Sequence, residues 1–229
     1  MPDIRTVGET GSTNDDLAML ARAGAAEGLW LRAEGQTGGK GRQGRVWQSP
    51  PGNLYASTLV RLARGDPPAP TLALVAAVAL HEAASLSAAD VRIKGPNDLL
   101  VGTAKRAGIL LEREGDAVII GFGVNLAHHP DLADRPSISL AAHAGAAPEP
   151  ADFVETLAEI LARWLARWRG EGVAPVRTAW LAAAHPIGTA LSTSEGDGLF
   201  DGLDATGALR LRLADGTMRV IHAGDVFLI

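Results

Sequence analysis

The chain has 229 residues, 47% of them hydrophobic and 21% charged, which is enough for one sizeable packed domain, or a main domain with a small appendage, and argues against global disorder. Its formal charge of −5 argues against general nucleic-acid coating, which needs a basic surface, and its lack of cysteine excludes a disulfide scaffold, a zinc–thiolate site and a cysteine nucleophile. No apolar h-region opens the chain, and the longest apolar stretch, Leu72 to Leu80, is too short to span a bilayer, so the expectation is a soluble cytoplasmic protein with no membrane or nucleic-acid partner.

In chain order, Ser12-Thr13-Asn14-Asp15-Asp16 precedes Leu17, Leu20 and Ala21 at helical spacing and Gly24 follows, which predicts an N-capped helix with a glycine stop. Leu29 to Ala33 reads as a short strand, and Asn53 to Leu62 as another, with Leu54, Ala56, Thr58 and Val60 on one face. Thr71 to Ser87 is apolar on nearly every face and predicts a buried helix. Val91 to Ile93 is a short strand; Gly108 to Glu112 and Ala117 to Asn125 read as a neighbouring pair joined by a turn at 114–116. Asp152 to Arg169 and Ala174 to Ala184 read as helices, the second ended by His185-Pro186. From Gly188 onward short β-like runs (Leu199-Phe200, Ala208 to Leu213, Met218 to His222, Val226 to Ile229) alternate with Asp/Gly turns, as in a small β-barrel-like module that docks on the rest.

Residues 35–47 carry five glycines, Gly35, Gly38, Gly39, Gly41 and Gly44, and the cations Lys40, Arg42 and Arg45. Gly39 to Gly44 matches G-x-G-x-x-G, but Val46-Trp47-Gln48-Ser49-Pro50-Pro51 follows, where a dinucleotide site needs the start of a helix. What remains is a mobile cationic loop whose backbone N–H groups and guanidiniums suit an activated anion. Lys94-Gly95-Pro96-Asn97-Asp98, with Lys105 and Gly108 beyond it, is equipped for a phosphate and its Mg²⁺, or is a plain Pro-Asn-Asp turn. Gly121 and Gly123 in a strand ending at Asn125 indicate close approach by another group, or a bulge. His128-His129 lacks partners at metal-ligand spacing.

Together and in this order, Ser12-Thr13-Asn14, Gln36 with Gly39 to Trp47, Lys94 to Asp98, Lys105 to Leu110 and Gly121 to Asn125 resemble the biotin protein ligases, over nearly the whole chain. The resemblance implies an α/β (α+β) fold, a mixed β-sheet packed with helices and related to class II aminoacyl-tRNA synthetases, over residues 1–186, with an SH3-like β-barrel over 187–229. It implies ATP-dependent ligation of biotin to a lysine of a biotin carboxyl carrier domain through biotinyl-5′-AMP, by a monomer or homodimer of the type without a DNA-binding domain. Lys105 and Arg42 are the implied catalytic residues. Ser12, Thr13, Asn14, Gln36, Gly39, Lys40, Gly41, Arg42, Lys105, Gly108 and Gly121 would contact biotin; Arg42, Arg45, Trp47, Lys94, Asn97, Asp98, Lys105 and Asn125 would contact ATP, with Asp98 holding Mg²⁺. A lipoate-type ligase and a non-catalytic biotin- or nucleotide-binding relative are the alternatives.

Two positions depart from the family pattern. Gly95 stands where a Trp is usual, and losing a buried indole costs roughly 3–5 kcal/mol if neighbours do not refill the hole. That departure leads to the expectation of a weakened or broadened ligand site. Lys40 stands where Arg is usual, keeping the charge but not the bidentate fork.

Overall fold

A computed structural model describes residues 2–95, 97–132, 136–193, 195–221 and 226–228. Pro96, His222 and Ile229, which fall in the runs read above, lie outside the described residues. The strands β1 (Asp3–Thr10), β2 (Leu29–Gln36), β3 (Leu54–Arg61), β4 (Val91–Lys94), β5 (Asp98–Val101), β6 (Ala104–Glu114) and β7 (Ala117–Val124) form one mixed sheet in the order β1-β2-β3-β7-β6-β5-β4. β1 runs parallel to β2 and the other pairs are antiparallel.

The inner strand β3 is covered on both faces. Its Leu54, Ala56 and Val60 face the large core made by the helices α2 (Leu72–Ser85), α4 (Pro150–Glu171) and α5 (Val173–Ala183), with the short α3 (Leu140–Ala144) beside them. Its Leu59 joins Leu17 and Ala21 of α1 (Thr13–Arg22) in a smaller core on the other face. α2 is buried almost all round because its sides are Leu, Val and Ala; α4 is amphipathic and lays Phe153, Leu157, Leu161, Trp164 and Trp168 against it. The two indoles keep their N–H groups satisfied, Trp168 donating to Thr71 Oγ1 (2.8 Å) and Trp164 to Glu82 Oε2 (2.8 Å).

Three readings of the sequence change. Ser12 stands at the N-cap of α1 but its side chain makes no capping bond; it is buried and lines the cavity described below. β1 was not expected, since most of its side chains are exposed and no period-2 apolar face marks it. Asp98, read as the end of a turn, opens the unexpected strand β5, which pairs with β4 in a hairpin that sets Lys94 opposite Asp98.

After α5, β8 (Ala190–Thr193), β9 (Gly196–Leu203), β10 (Leu209–Leu213), β11 (Met218–Ile221) and β12 (Val226–Leu228) form a second, antiparallel sheet in the order β11-β10-β9-β8-β12. Its turns are held by side chains, Asp204 Oδ1 accepting from the N–H of Thr206 and Ala208, and Asp215 Oδ1 from that of Thr217. It docks as expected. Phe200, Leu203, Leu209 and Leu211 belong to the same core as α2, and Gly207 (φ +87°) approaches Leu74 so closely that a Cβ there would lie 2.6 Å from Leu74 Cδ1. No helix among the described residues is long and apolar enough to cross a membrane.

The segment after β7 is pinned to β6 on both sides of Lys105. Lys105 N–H donates to Pro136 O (2.7 Å) and its carbonyl accepts from Ile138 N–H (3.0 Å). The next residue, Arg106, is 1% exposed and places Nη2 2.5 Å from His143 Nδ1 of α3, whose Nε2 is 3.0 Å from Asp90 Oδ2. Burial lowers the Arg106 pKa and the Asp90 charge opposes it. His143→Ala leaves this guanidinium buried without its partner, and should destabilise the chain by about 1.5–3 kcal/mol in urea unfolding.

Candidate functional site

A cavity of about 610 Å³ opens where the N-terminus of α1, the 38–48 loop, the β4–β5 hairpin, β6, β7 and β12 meet. One end is polar. Gln36 Oε1 accepts from Thr13 N–H (2.9 Å), and Thr13 Oγ1 lies 2.7 Å from Ser57 Oγ. Ser57 in turn donates to Asn14 Oδ1 (2.6 Å), and Asn14 Nδ2 donates to Glu112 Oε2 (2.6 Å). The network is fully knit and fixes the direction of each donor and acceptor facing the cavity, which gives a rigid recognition surface for a small polar head group. Gly121 lets Asn14 in: a Cβ at 121 would lie 2.3 Å from Asn14 Oδ1.

The other end is built around Trp47. Its indole lies across Gly108 and Gly123, where added Cβ atoms would stand 3.1 Å and 2.6 Å from the ring. Gly121 and Gly123 of β7 thus mark close approach by other groups, the Asn14 side chain and the Trp47 indole, and the bulge alternative falls away. Lys105 Nζ sits 5.5 Å from that ring. Asn125, buried at the end of β7, holds the neighbouring corner.

The same cavity carries charges. Asp98, with its side chain 12% exposed, meets Lys105 Nζ at 2.6 Å through one oxygen and Lys94 Nζ at 3.1 Å through the other. Burial pushes the Asp98 carboxyl up, but the Lys105 and Lys94 charges outweigh it and hold its pKa below the usual carboxylate range. The aspartate is therefore ionised at neutral pH and fixes both ammonium groups in the cavity lining. The loop adds Arg42, whose Nη1 donates to Asn97 Oδ1 (3.1 Å), while Asn97 Nδ2 anchors on Ile109 O (2.7 Å). Lys40 pairs with Asp15 at 2.6 Å on the exposed rim, and that hydrogen bond raises its pKa. Arg45 Nη2 donates to Gln43 Oε1 (2.8 Å). The loop itself is a short 3₁₀ turn, Arg42–Gly44, closed by a bridge between Lys40 and Val46, with Gln43 in the left-handed region at φ +57°.

The residues singled out from the sequence thus converge on one space. Ser12, Thr13, Asn14, Gln36, Lys40, Gly41, Arg42, Arg45, Trp47, Lys94, Asn97, Asp98, Lys105, Gly108, Gly121 and Asn125 all line it. Gly39 stands behind the lining. A Cβ there would meet Trp47 O at 2.6 Å and Ser49 Oγ at 2.8 Å, so its lack of a side chain is what lets the loop return on itself. Among the described residues no group of three or more acidic or histidine side chains is arranged to hold a metal ion, and Asp98 is the single carboxylate of the lining.

The comparison with known proteins follows this geometry. Residues 12–125 match the model of the biotin/lipoate A/B protein ligase family, and 196–229 that of the biotin protein ligase C-terminal domain. The chain is 41% identical to a biotin–[acetyl-CoA-carboxylase] ligase of Paracoccus denitrificans, across 95% of this chain and 97% of that one. The chain belongs to the biotin protein ligase family. The biotin protein ligase of Aquifex aeolicus, solved in complex with biotin and ATP, superposes with a TM-score of 0.88 at 23% identity over 100% of this chain and 99% of that one. The Leishmania major biotin protein ligase in complex with biotinyl-5-AMP gives 0.71 at 27% identity, over 97% and 100%.

Against that family, the expected gap at Gly95 does not exist. Gly95 is buried, and a Cβ there would meet Leu209 Cδ1 at 3.3 Å and two ring carbons of Trp180 at 3.4 Å. The space beside it is a slot of about 10 Å³, far too small for an indole. Sequence reasoning also missed participants. Ser57 links Thr13 to Asn14, and a polar residue in so apolar a strand was a signal for it. Glu112 and the β12 residue Phe227, whose ring lies 5.6 Å from Lys94 Nζ, carried no local signal.

Proposed function

We propose that this chain joins biotin to a lysine of a carrier domain in two steps within this one cavity. The observation that carries the reading is that Asp98 holds both Lys105 and Lys94 in the lining of the same cavity that contains the Thr13–Asn14–Gln36 network and Trp47. Biotin lies with its ureido ring among Ser12, Thr13, Asn14 and Gln36, its thiophane ring along Gly108 and Gly121, and its carboxylate toward Lys105. ATP lies with its base beside Trp47 and Asn125 and its phosphates toward Lys94, Asn97, Arg42 and Arg45. In the first step a biotin carboxylate oxygen bonds to the α-phosphorus as the α–β bridging bond breaks and pyrophosphate leaves. Two anions must meet, and cations fixed beforehand at the meeting point lower the barrier without reorganising. Lys105 bridges carboxylate and α-phosphate; Arg42 and Lys40, with Gly41, close the loop over the adenylate.

In the second step the neutral amine of the acceptor lysine attacks the acyl carbon, AMP leaves, and the amine gives up a proton as the amide forms. Mg²⁺ is held by one or two carboxylates together with substrate phosphates. Asp98 is the one carboxylate of the lining and both its oxygens are engaged by Lys105 and Lys94, so an ion arriving with ATP would be held chiefly by the phosphates, with Asp98 beside it, and would neutralise phosphate charge.

Incubation with ATP, biotin and a biotin carboxyl carrier domain should add one biotinyl group to one lysine by mass spectrometry, with lipoate neither transferred nor competing. Transfer of lipoate instead would assign the chain to the lipoate-type branch, and binding of both ligands without transfer would make it a non-catalytic relative. A further result is expected from Gly123→Ala: its Cβ displaces the Trp47 indole, and at about 1–3 kcal/mol for overpacking it should weaken ATP roughly tenfold while leaving biotin affinity unchanged. Isothermal titration of each ligand reads this directly.

A further inference from the structure

The hairpin that carries Lys94 and Asp98 is held from behind by groups that never reach the cavity's ligands. Gly95 has no side chain, and the direction its Cβ would take is filled by Trp180 of α5 and Leu209 of β10 at 3.3–3.4 Å. Trp180 is 1% exposed and meets Phe200 of β9 edge-on, with centroids 6.2 Å apart and planes at 61°. Its buried indole Nε1 has no hydrogen-bond partner among the described residues, so packing alone fixes the ring. The end of α5 is joined to β4 as well: Ala184 bridges Ile93, and His185 N–H reaches Ile93 O at 3.4 Å. On the cavity side the same turn presents Lys94, pinned by Asp98 and lying over Phe227 of β12. The turn is thus wedged between the helical layer and the C-terminal sheet.

We propose that Trp180, together with Leu209, is a positioning residue for the Lys94–Gly95 turn, so that nucleotide affinity is set in part by an indole that contacts no ligand. The physical warrant is that close-packed interiors transmit displacement: with the Trp180 ring 3.4 Å from where a Gly95 Cβ would stand, the turn can shift toward α5 only slightly before it meets the ring. Truncating Trp180 opens a cavity directly behind Gly95, the turn relaxes toward it, and Lys94 withdraws from the phosphates. Biotin's proposed polar pocket is built from other elements, Thr13 and Asn14 of α1, Gln36 of β2, Ser57 of β3 and Gly121 of β7. The proposal rests on the reading that Lys94 faces the nucleotide.

The test is a double-mutant cycle on the full chain, with ATP and biotin affinities measured separately and folding checked by circular dichroism. Trp180→Ala should raise the Kd for ATP by about tenfold and leave that for biotin within about twofold, and Trp180→Phe should recover most of the loss. In a Lys94→Ala background, Trp180→Ala should add almost nothing, because the contact it positions is already gone. Gly95→Ala, which intrudes only a few tenths of an ångström on Trp180 and keeps the fold, should reproduce the ATP-selective loss at a few-fold. Unchanged ATP affinity in folded Trp180→Ala, equal losses of biotin and ATP, or additive effects with Lys94→Ala would each overturn the proposal. If Lys94→Ala itself leaves ATP binding intact, the placement of the nucleotide fails instead, and the two failures are told apart.

Discussion

Replacing Lys105 with alanine should slow biotin-dependent pyrophosphate release by roughly 10²–10³-fold, the usual cost of removing one preorganised group at a developing charge, while biotin affinity changes only a few-fold. The asymmetry follows from position. Lys105 leaves a backbone clamped by Pro136 and Ile138 and ends 2.6 Å from Asp98, so its ammonium is fixed before any ligand arrives. The proposed seat of biotin's ring end is the Thr13–Ser57–Asn14–Gln36 network, which does not include Lys105. The charge matters when the carboxylate closes on the α-phosphate, and much less before. Single-turnover kinetics with a separate biotin titration distinguishes the two effects, and equal losses in both would reduce Lys105 to a ligand contact.

Arg42→Gly should release the adenylate early. A hydrogen bond to a charged group is worth about 1.5–3 kcal/mol, so the off-rate of biotinyl-5′-AMP should rise by roughly 10–150-fold. Arg42 is the loop cation that reaches across the cavity to the hairpin, donating to Asn97, so its loss also unfastens the loop from its far support. Escaped mixed anhydride acylates any accessible amine. Bystander lysines should therefore be biotinylated, and a mixture of carrier domain and an unrelated lysine-rich protein followed by streptavidin blot will show it. A variant that releases no more adenylate than the wild type would contradict the role given to the loop.

How far the sequence reached depended on whether chemistry was local. Glycines and cations crowded at 35–47, and Lys, Asn and Asp crowded at 94–98, announce anion handling because their residue types are uncommon in such density. The buried helices were legible from Leu, Val and Ala alone. β1 was not, since an edge strand lined by Asp3, Arg5 and Glu9 shows no buried face and its partner β2 lies beyond a helix. Ser57 and Glu112 join Asn14 only when β3 and β6 are laid side by side. Gly95 shows the limit most clearly. From the sequence it is a missing indole and a hole; in the fold, Trp180 arrives from α5 and Leu209 from the second sheet, and nearly all of the hole is occupied.

In the proposed reaction the cations around Asp98 bring a biotin carboxylate and an ATP α-phosphate together. Pyrophosphate release from ATP, measured with and without biotin and with no acceptor present, tests this most directly. A burst of about one pyrophosphate per chain is expected that requires biotin, is abolished in Lys105→Ala and leaves biotinyl-5′-AMP bound, as when an activated intermediate is retained. Pyrophosphate release independent of biotin, or none at all from a folded chain that binds both ligands, would contradict it.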